Sequence, residues 1–188
     1  MKEIIFSFNP IFMIVALMLT GIAAFTFIDI FQHMKSTKGY RSFLFWGSCF
    51  SLSISIWMMD FFGTLAYRIG DSADRLIVVS ALSLFCCFIF TSLSLLFFIL
   101  KKSWTNLVAG AFVFTVAVIG TGMIHMFAIE TEPSYNLGIV MFSFLFLFAF
   151  SICVFWFLFY SKAASLYPNG YKFMSAAIIT VAIAQGFL

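Results

Sequence analysis

Asp60 and His125 are the residues of this chain best placed to do chemistry, because each interrupts a long apolar run. Asp60 stands in Trp57–Met58–Met59–Asp60–Phe61–Phe62–Gly63, and His125 stands 65 residues later in Met123–Ile124–His125–Met126. At lipid depth an ionisable side chain costs at least about 2.5 kcal/mol, so such residues usually face a bundle interior and carry function. The carboxyl of Asp60 can ligate a metal, carry a proton, or sit as a neutral acid hydrogen-bonded between helices; its available partners are His125, or Thr64 and Arg68 on its own helical stripe. The imidazole of His125 can be a ligand or a polar contact between helices. Met59, Met123 and Met126 flank the two centres and offer soft sulfur, although ten methionines in so apolar a chain also serve as packing. His125, Met59, Asp60, Met123 and Met126 are therefore the candidate metal ligands.

The elements that must position these residues follow from hydropathy. A chain of 188 residues that is 64% hydrophobic and only 9% charged lies far from soluble composition, about 45–50% apolar and about 25% charged, so it belongs in a bilayer. Spanning helices need roughly 20 apolar residues. They are expected over Pro10–Phe31, Phe43–Tyr67, Leu76–Leu100, Leu107–Ile129 and Leu137–Tyr160, with a sixth from Phe173 that stops at Leu188. Ser161–Lys172 reads as a loop with a Pro168–Asn169–Gly170 turn. From Phe173 the sixth helix is short of a full crossing, so the native chain is expected to continue past Leu188. The fold class is thus an all-α polytopic transmembrane bundle, forming a single domain over residues 1–188. Met1–Lys2–Glu3 is too slight an n-region for a cleaved signal.

Topology follows from basic residues. Lys35, Lys38, Arg41, Lys101, Lys102, Lys162 and Lys172 fall on one side; Lys2, Arg68 and Arg75 fall on the other. The richer side is cytoplasmic, which places the N-terminus outside. Asp60 then lies roughly 12 Å, and His125 roughly 7 Å, below the outer boundary. Asp29, near the inner end, reaches the interface or pairs with His33 four residues on, and His33 itself is a surface residue.

The polar centres also mark a repeat of helix pairs. Ser55 stands five residues before Asp60 and Gly120 five before His125; Ala184 holds the same place before a position just after Leu188. Gly122 and Gly186 match in the same way, each three residues before its centre. Small residues at such places let helices approach closely.

Ile56–Trp57–Met58–Met59–Asp60–Phe61–Phe62–Gly63–Thr64 resembles the first motif of the MHYT family of bacterial membrane sensor domains. Ile56, Trp57, Met59, Phe61 and Gly63 match that motif, while Asp60 replaces its histidine. Gly120–Thr121–Gly122–Met123–Ile124–His125–Met126–Phe127–Ala128–Ile129 resembles the second motif and keeps its histidine, but has Ile124, Met126, Phe127 and Ala128 where the family has Met, Tyr, Thr and Gly. Ala182–Leu188 is similar to the approach to the third. The resemblance implies three helix pairs with a closing seventh helix, and a copper site that senses a small gas. It also implies a bacterial cytoplasmic-membrane location and a downstream cytoplasmic signalling module. Asp60 bears on the copper, since carboxylate suits harder cations.

Several classes are not expected. Cys49, Cys86, Cys87 and Cys153 lack Cys-x-x-Cys spacing and read as packing residues. Two histidines cannot supply an enzyme's acid–base and metal groups, and Gly120–Thr121–Gly122 follows no strand, so it is no nucleotide loop. No dense basic stripe points to nucleic acid. The partners expected are the lipid bilayer and a signalling domain or a second copy. The leading function is a sensory input domain; the alternatives are a non-sensing anchor or dimerisation domain, and a small proton-linked carrier using Asp60.

Overall fold

A computed structural model describes residues 10–36, 39–66, 73–100, 103–128, 137–160 and 168–187. Lys2, Lys38, Arg68, Lys101, Lys102, Lys162 and Leu188, used above for topology and repeat, lie outside them. The described residues are helical with no strand: α1 (Pro10–Ser36), α2 (Arg41–Ala66), α3 (Ala73–Leu100), α4 (Trp104–Ala128), α5 (Leu137–Tyr160) and α6 (Pro168–Phe187). The first five are long and apolar enough to cross a membrane.

Local chemistry sets the helix ends. Pro10 and Pro168 each open a helix, where a missing N–H costs nothing. That corrects the reading of residues 168–170 as a turn: they are the first turn of α6, which begins five residues earlier than hydropathy alone indicates. Ser103 precedes α4 and its carbonyl accepts the Leu107 N–H at 3.0 Å. Past Phe31, α1 continues to Ser36, with His33 Nδ1 2.8 Å from the Asp29 carbonyl on the same helix.

Burial separates two kinds of helix. Of the most apolar stretches, 61% of α2 and 50% of α4 are buried, against 28%, 33% and 22% for α1, α3 and α5. The even-numbered helices α2, α4 and α6 touch one another, and each odd-numbered helix packs outside, between even-numbered neighbours. The tightest pairs are α1 with α2 and α3 with α4; α6 packs more extensively on α1 than on α5. Large apolar side chains such as Met18, Phe43, Phe85, Phe142 and Val181 cover the outside.

Between helices, serine hydroxyls reach carbonyls of the neighbouring helix. Ser55 donates to the Thr20 carbonyl and Ser51 to that of Ala23, both at 2.9 Å, fastening α2 to α1. Ser94 donates to the Gly110 carbonyl at 2.8 Å, fastening α3 to α4. In lipid such bonds average about 0.6 kcal/mol. At Gly110 the approach is close enough to need glycine: a Cβ there would lie 2.5 Å from Phe98 Cζ. The Phe98 ring stacks on Phe155 with centroids 4.3 Å apart, and Phe155 meets Phe114 edge-on at 5.2 Å. This wedge ties α3, α4 and α5 together.

At the opposite edge α1 meets α6. Phe25 and Phe173 lie 5.1 Å apart, Gly21 faces Thr180, and Lys172 pairs with Asp29. Asp29 is therefore paired with Lys172 of the last described helix, and His33 Nδ1 stands 3.7 Å from its carboxylate. His33 is exposed, as the sequence indicates.

Candidate functional site

Asp60 sits in the last two turns of α2 and is 1% exposed; His125 sits at the end of α4 and is also 1% exposed. The helix period explains the placement. Ile56, Asp60, Gly63 and Thr64 recur at three- and four-residue spacing on one buried face of α2. Thr121 and His125, four apart, do the same on α4.

Thr121 joins the two centres. Its hydroxyl approaches the Asp60 carboxyl, and its carbonyl lies 3.1 Å from His125 Nδ1. A carbonyl can only accept, so Nδ1 carries the hydrogen in that bond. The other ring nitrogen, Nε2, is 3.4 Å from Ser83 Oγ on α3. Ser83 also lies 2.8 Å from the Ser80 carbonyl, and Trp57 Nε1 donates to that carbonyl at 3.0 Å and to Ser80 Oγ at 2.8 Å. Trp57 is held in turn by stacking on Phe61, centroids 5.1 Å apart. The cluster thus crosses three helices, with Trp57 and Asp60 from α2, Ser80 and Ser83 from α3, and Thr121 and His125 from α4.

One atom stands out electrostatically. Asp60 Oδ2 is buried and has no hydrogen-bond partner. Thr64 donates to the Asp60 backbone carbonyl at 2.6 Å rather than to the carboxyl. Thr121 gives its single proton to the Ala117 carbonyl, 2.8 Å away, or to that of Val118 at 3.0 Å. Its hydroxyl also lies within hydrogen-bonding reach of the Asp60 carboxyl. The unpartnered Oδ2 sits in a medium where an unpaired polar group is costly.

The remaining candidates are distributed differently. Met59 is fully buried in the main hydrophobic core with Ile56 and Leu52. Met123 is half-buried, and the Met126 side chain and Arg68 lie outside the described residues. Among the described residues no three His, Cys, Asp or Glu side chains gather as a metal-binding group. The described donors, one imidazole beside a serine and one carboxyl beside a threonine, do not fit a copper centre, which favours soft sulfur and imidazole together. On α6, Ala184 packs half-buried against the core, and the position after Leu188 lies outside the described residues.

Ser80, Ser83 and Thr121 were not singled out by sequence reasoning. A signal exists: Ser80, Ser83, Cys87, Thr91 and Ser94 recur at intervals of three and four along α3 and are all buried. Ser53 on α2 meets Thr91 at 2.5 Å, and Cys87 reaches the Ser53 carbonyl at 3.7 Å, so the stripe continues below the cluster. Ser83 and Thr91 also bond a carbonyl one turn back on their own helix, and Ser94 one on α4, which makes the lower stripe a packing seam. Compared with protein-family models, curated proteins and solved structures, the chain matches none.

Proposed function

We propose that the chain is a membrane-embedded sensory input domain of MHYT type, whose input site is the Asp60–Thr121–His125 cluster. The observation that carries this reading is the unpartnered, fully buried Asp60 Oδ2 in a polar cluster shared by three helices. A stability-only role gains little from an unsatisfied carboxyl in lipid, whereas a binding site needs free acceptor capacity. Occupancy of the cluster would favour one packing of α2, α4 and α6 over another, and the inner ends of those helices would pass the change to a cytoplasmic module or a second copy. That requires the ligand to bind the two packings unequally.

Two further features support the reading. The inner position of α2, α4 and α6 fits three helix pairs, each an outer helix followed by an inner one that carries the polar position. The bias of basic residues fits an N-terminus outside and a bacterial cytoplasmic membrane, with the cluster in the outer half. Copper is not part of this proposal, because the described donors do not fit it.

Spin labels at the start of α2 and of α6 test the proposal in nanodiscs. Distances should change between aerobic and anaerobic buffer, or on adding nitric oxide, carbon monoxide or simple salts, and the change should vanish in His125→Ala. Distances that stay fixed under every condition sink it. The second reading, an anchor or dimerisation domain, is favoured by Asp60 standing where the family motif has histidine. It predicts unchanged signalling in stably folded Asp60→Ala and His125→Ala variants.

A further inference from the structure

We propose that a groove lined by α3, α4 and α5, at the start of α4, binds one anionic phospholipid. An acyl chain lies along the groove, and the phosphate meets Lys101, Lys102 and the hydroxyls of Ser103 and Thr105. This is a second site, at the opposite end of α4 from His125, and it stands independently of the sensory reading. The groove has a volume of about 710 Å³, within the range of roughly 300–1,000 Å³ that holds small ligands. Trp104, Val108 and Phe112 line it at four-residue spacing along α4, joined by Phe97 of α3 and Phe148 of α5, while Ala109 contributes only a methyl group. Phe112 meets Phe148 edge-on with centroids 5.9 Å apart, which fixes the side shared by α4 and α5. From Trp104 to Phe112 is about 12 Å of helix axis, close to the roughly 15 Å of hydrocarbon in one leaflet.

The lining selects a hydrocarbon chain. Of its residues only Thr105 carries a hydroxyl, next to Trp104, so a polar ligand would leave its own groups unpaired along the rest. An empty groove would cost the aromatic walls the dispersion contacts that an acyl chain restores. Every phospholipid offers such a chain, so the head group decides which one is held. Trp104 is exposed, as an indole at the membrane interface is. The Ser103 and Thr105 hydroxyl oxygens lie 2.9 Å apart; one donates to the other, and one proton of the pair remains for a phosphate oxygen. Lys101 and Lys102 directly precede Ser103, and no Asp or Glu stands between Asp74 and Glu130 in the sequence. Asp29, the one acid that hydropathy places near the same face, is paired with Lys172. Balance for the two lysine charges is thus left to the leaflet. The bias of basic residues puts this end of α4 at the cytoplasmic leaflet, which carries anionic lipid.

Native mass spectrometry of the purified protein, released from micelles holding equal amounts of phosphatidylglycerol and phosphatidylcholine, tests the proposal. One retained phosphatidylglycerol per chain is expected, favoured about twenty-fivefold over phosphatidylcholine, since each lysine near an anionic surface contributes about fivefold. Lys101→Gln and Lys102→Gln should each lower that preference about fivefold, and the double variant should abolish it. Lys162→Gln, on the same side of the membrane by the count of basic residues, should leave it unchanged. Ala109→Phe fills the groove and should remove the bound lipid. Glycerol phosphate, which has the head-group phosphate and no chain, should fail to displace the lipid from the wild-type protein even in large excess, an arm that stands if Ala109→Phe does not fold. Equal retention of the two lipids overturns the proposal. So does an equal loss of preference in Lys162→Gln, displacement by glycerol phosphate, or full retention in a folded Ala109→Phe. A lipid-free dimer that Ala109→Phe dissociates overturns it as well, by giving the groove to a second copy.

Discussion

The aromatic wedge of α3, α4 and α5 and the polar cluster of α2, α3 and α4 share two helices and are built on opposite terms. In the wedge, Phe98, Phe114 and Phe155 fill the space so fully that Gly110 has no room for a methyl group. In the cluster, hydrogen bonds run from Trp57 through Ser80 and Ser83 toward His125, yet one carboxyl oxygen of Asp60 is left without a partner. Lipid weakens the hydrophobic drive between helices, so shape must hold the first region. The second region gives up satisfaction at one atom. Such a contrast within one helix pair separates what keeps the bundle together from what it is available to bind.

Substitutions can break that contrast. The largest stability loss is expected from Phe155→Ala, which removes the ring between Phe98 and Phe114; about 3 kcal/mol should appear in reversible unfolding, with any ligand response of the folded fraction intact. Gly110→Ala comes next, at about 1–3 kcal/mol, since the Phe98 ring must shift to admit the methyl. Trp57→Phe removes the indole N–H that serves Ser80 and should cost about 1 kcal/mol, together with a weaker response if the α3 side of the cluster matters for binding. Ser53→Ala, in the seam below, should cost about 0.6 kcal/mol and leave the response unchanged. Asp60→Asn should change stability least, by under about 0.5 kcal/mol, while abolishing the response. A large stability loss from Asp60→Asn, equal to that of Phe155→Ala, would erase the distinction between the two regions.

Much of the fold was legible because the bilayer imposes length and hydropathy on each crossing. The first five helices appear where apolar runs place them, and Asp60 and His125 are conspicuous because charge is rare there. Other parts lacked such a marker. Serines and threonines are tolerated anywhere in a membrane helix, so Ser80 and Ser83 carry no signal until the three-and-four spacing is followed along α3, and Thr121 none until it is read four residues before His125 on α4. Asp29 has a convenient neighbour in His33, and nothing local points to Lys172 on the far side of the sequence. Pro168–Asn169–Gly170 has turn composition, and only the helix that follows shows that Pro168 occupies a first helical turn.

The seam between α1 and α6 has a consequence for biogenesis. Asp29 and Lys172 are 143 residues apart in the chain. At roughly 5–20 residues per second of synthesis, α1 waits about 7 to 30 s in the membrane before its ion-pair partner is made. During that interval α2 is available to dock on α1, while the flank bearing Phe25 and Gly21 lacks the α6 residues that cover it in the finished fold. The closing of the α1–α6 seam is therefore a late event that waits on the synthesis of α6.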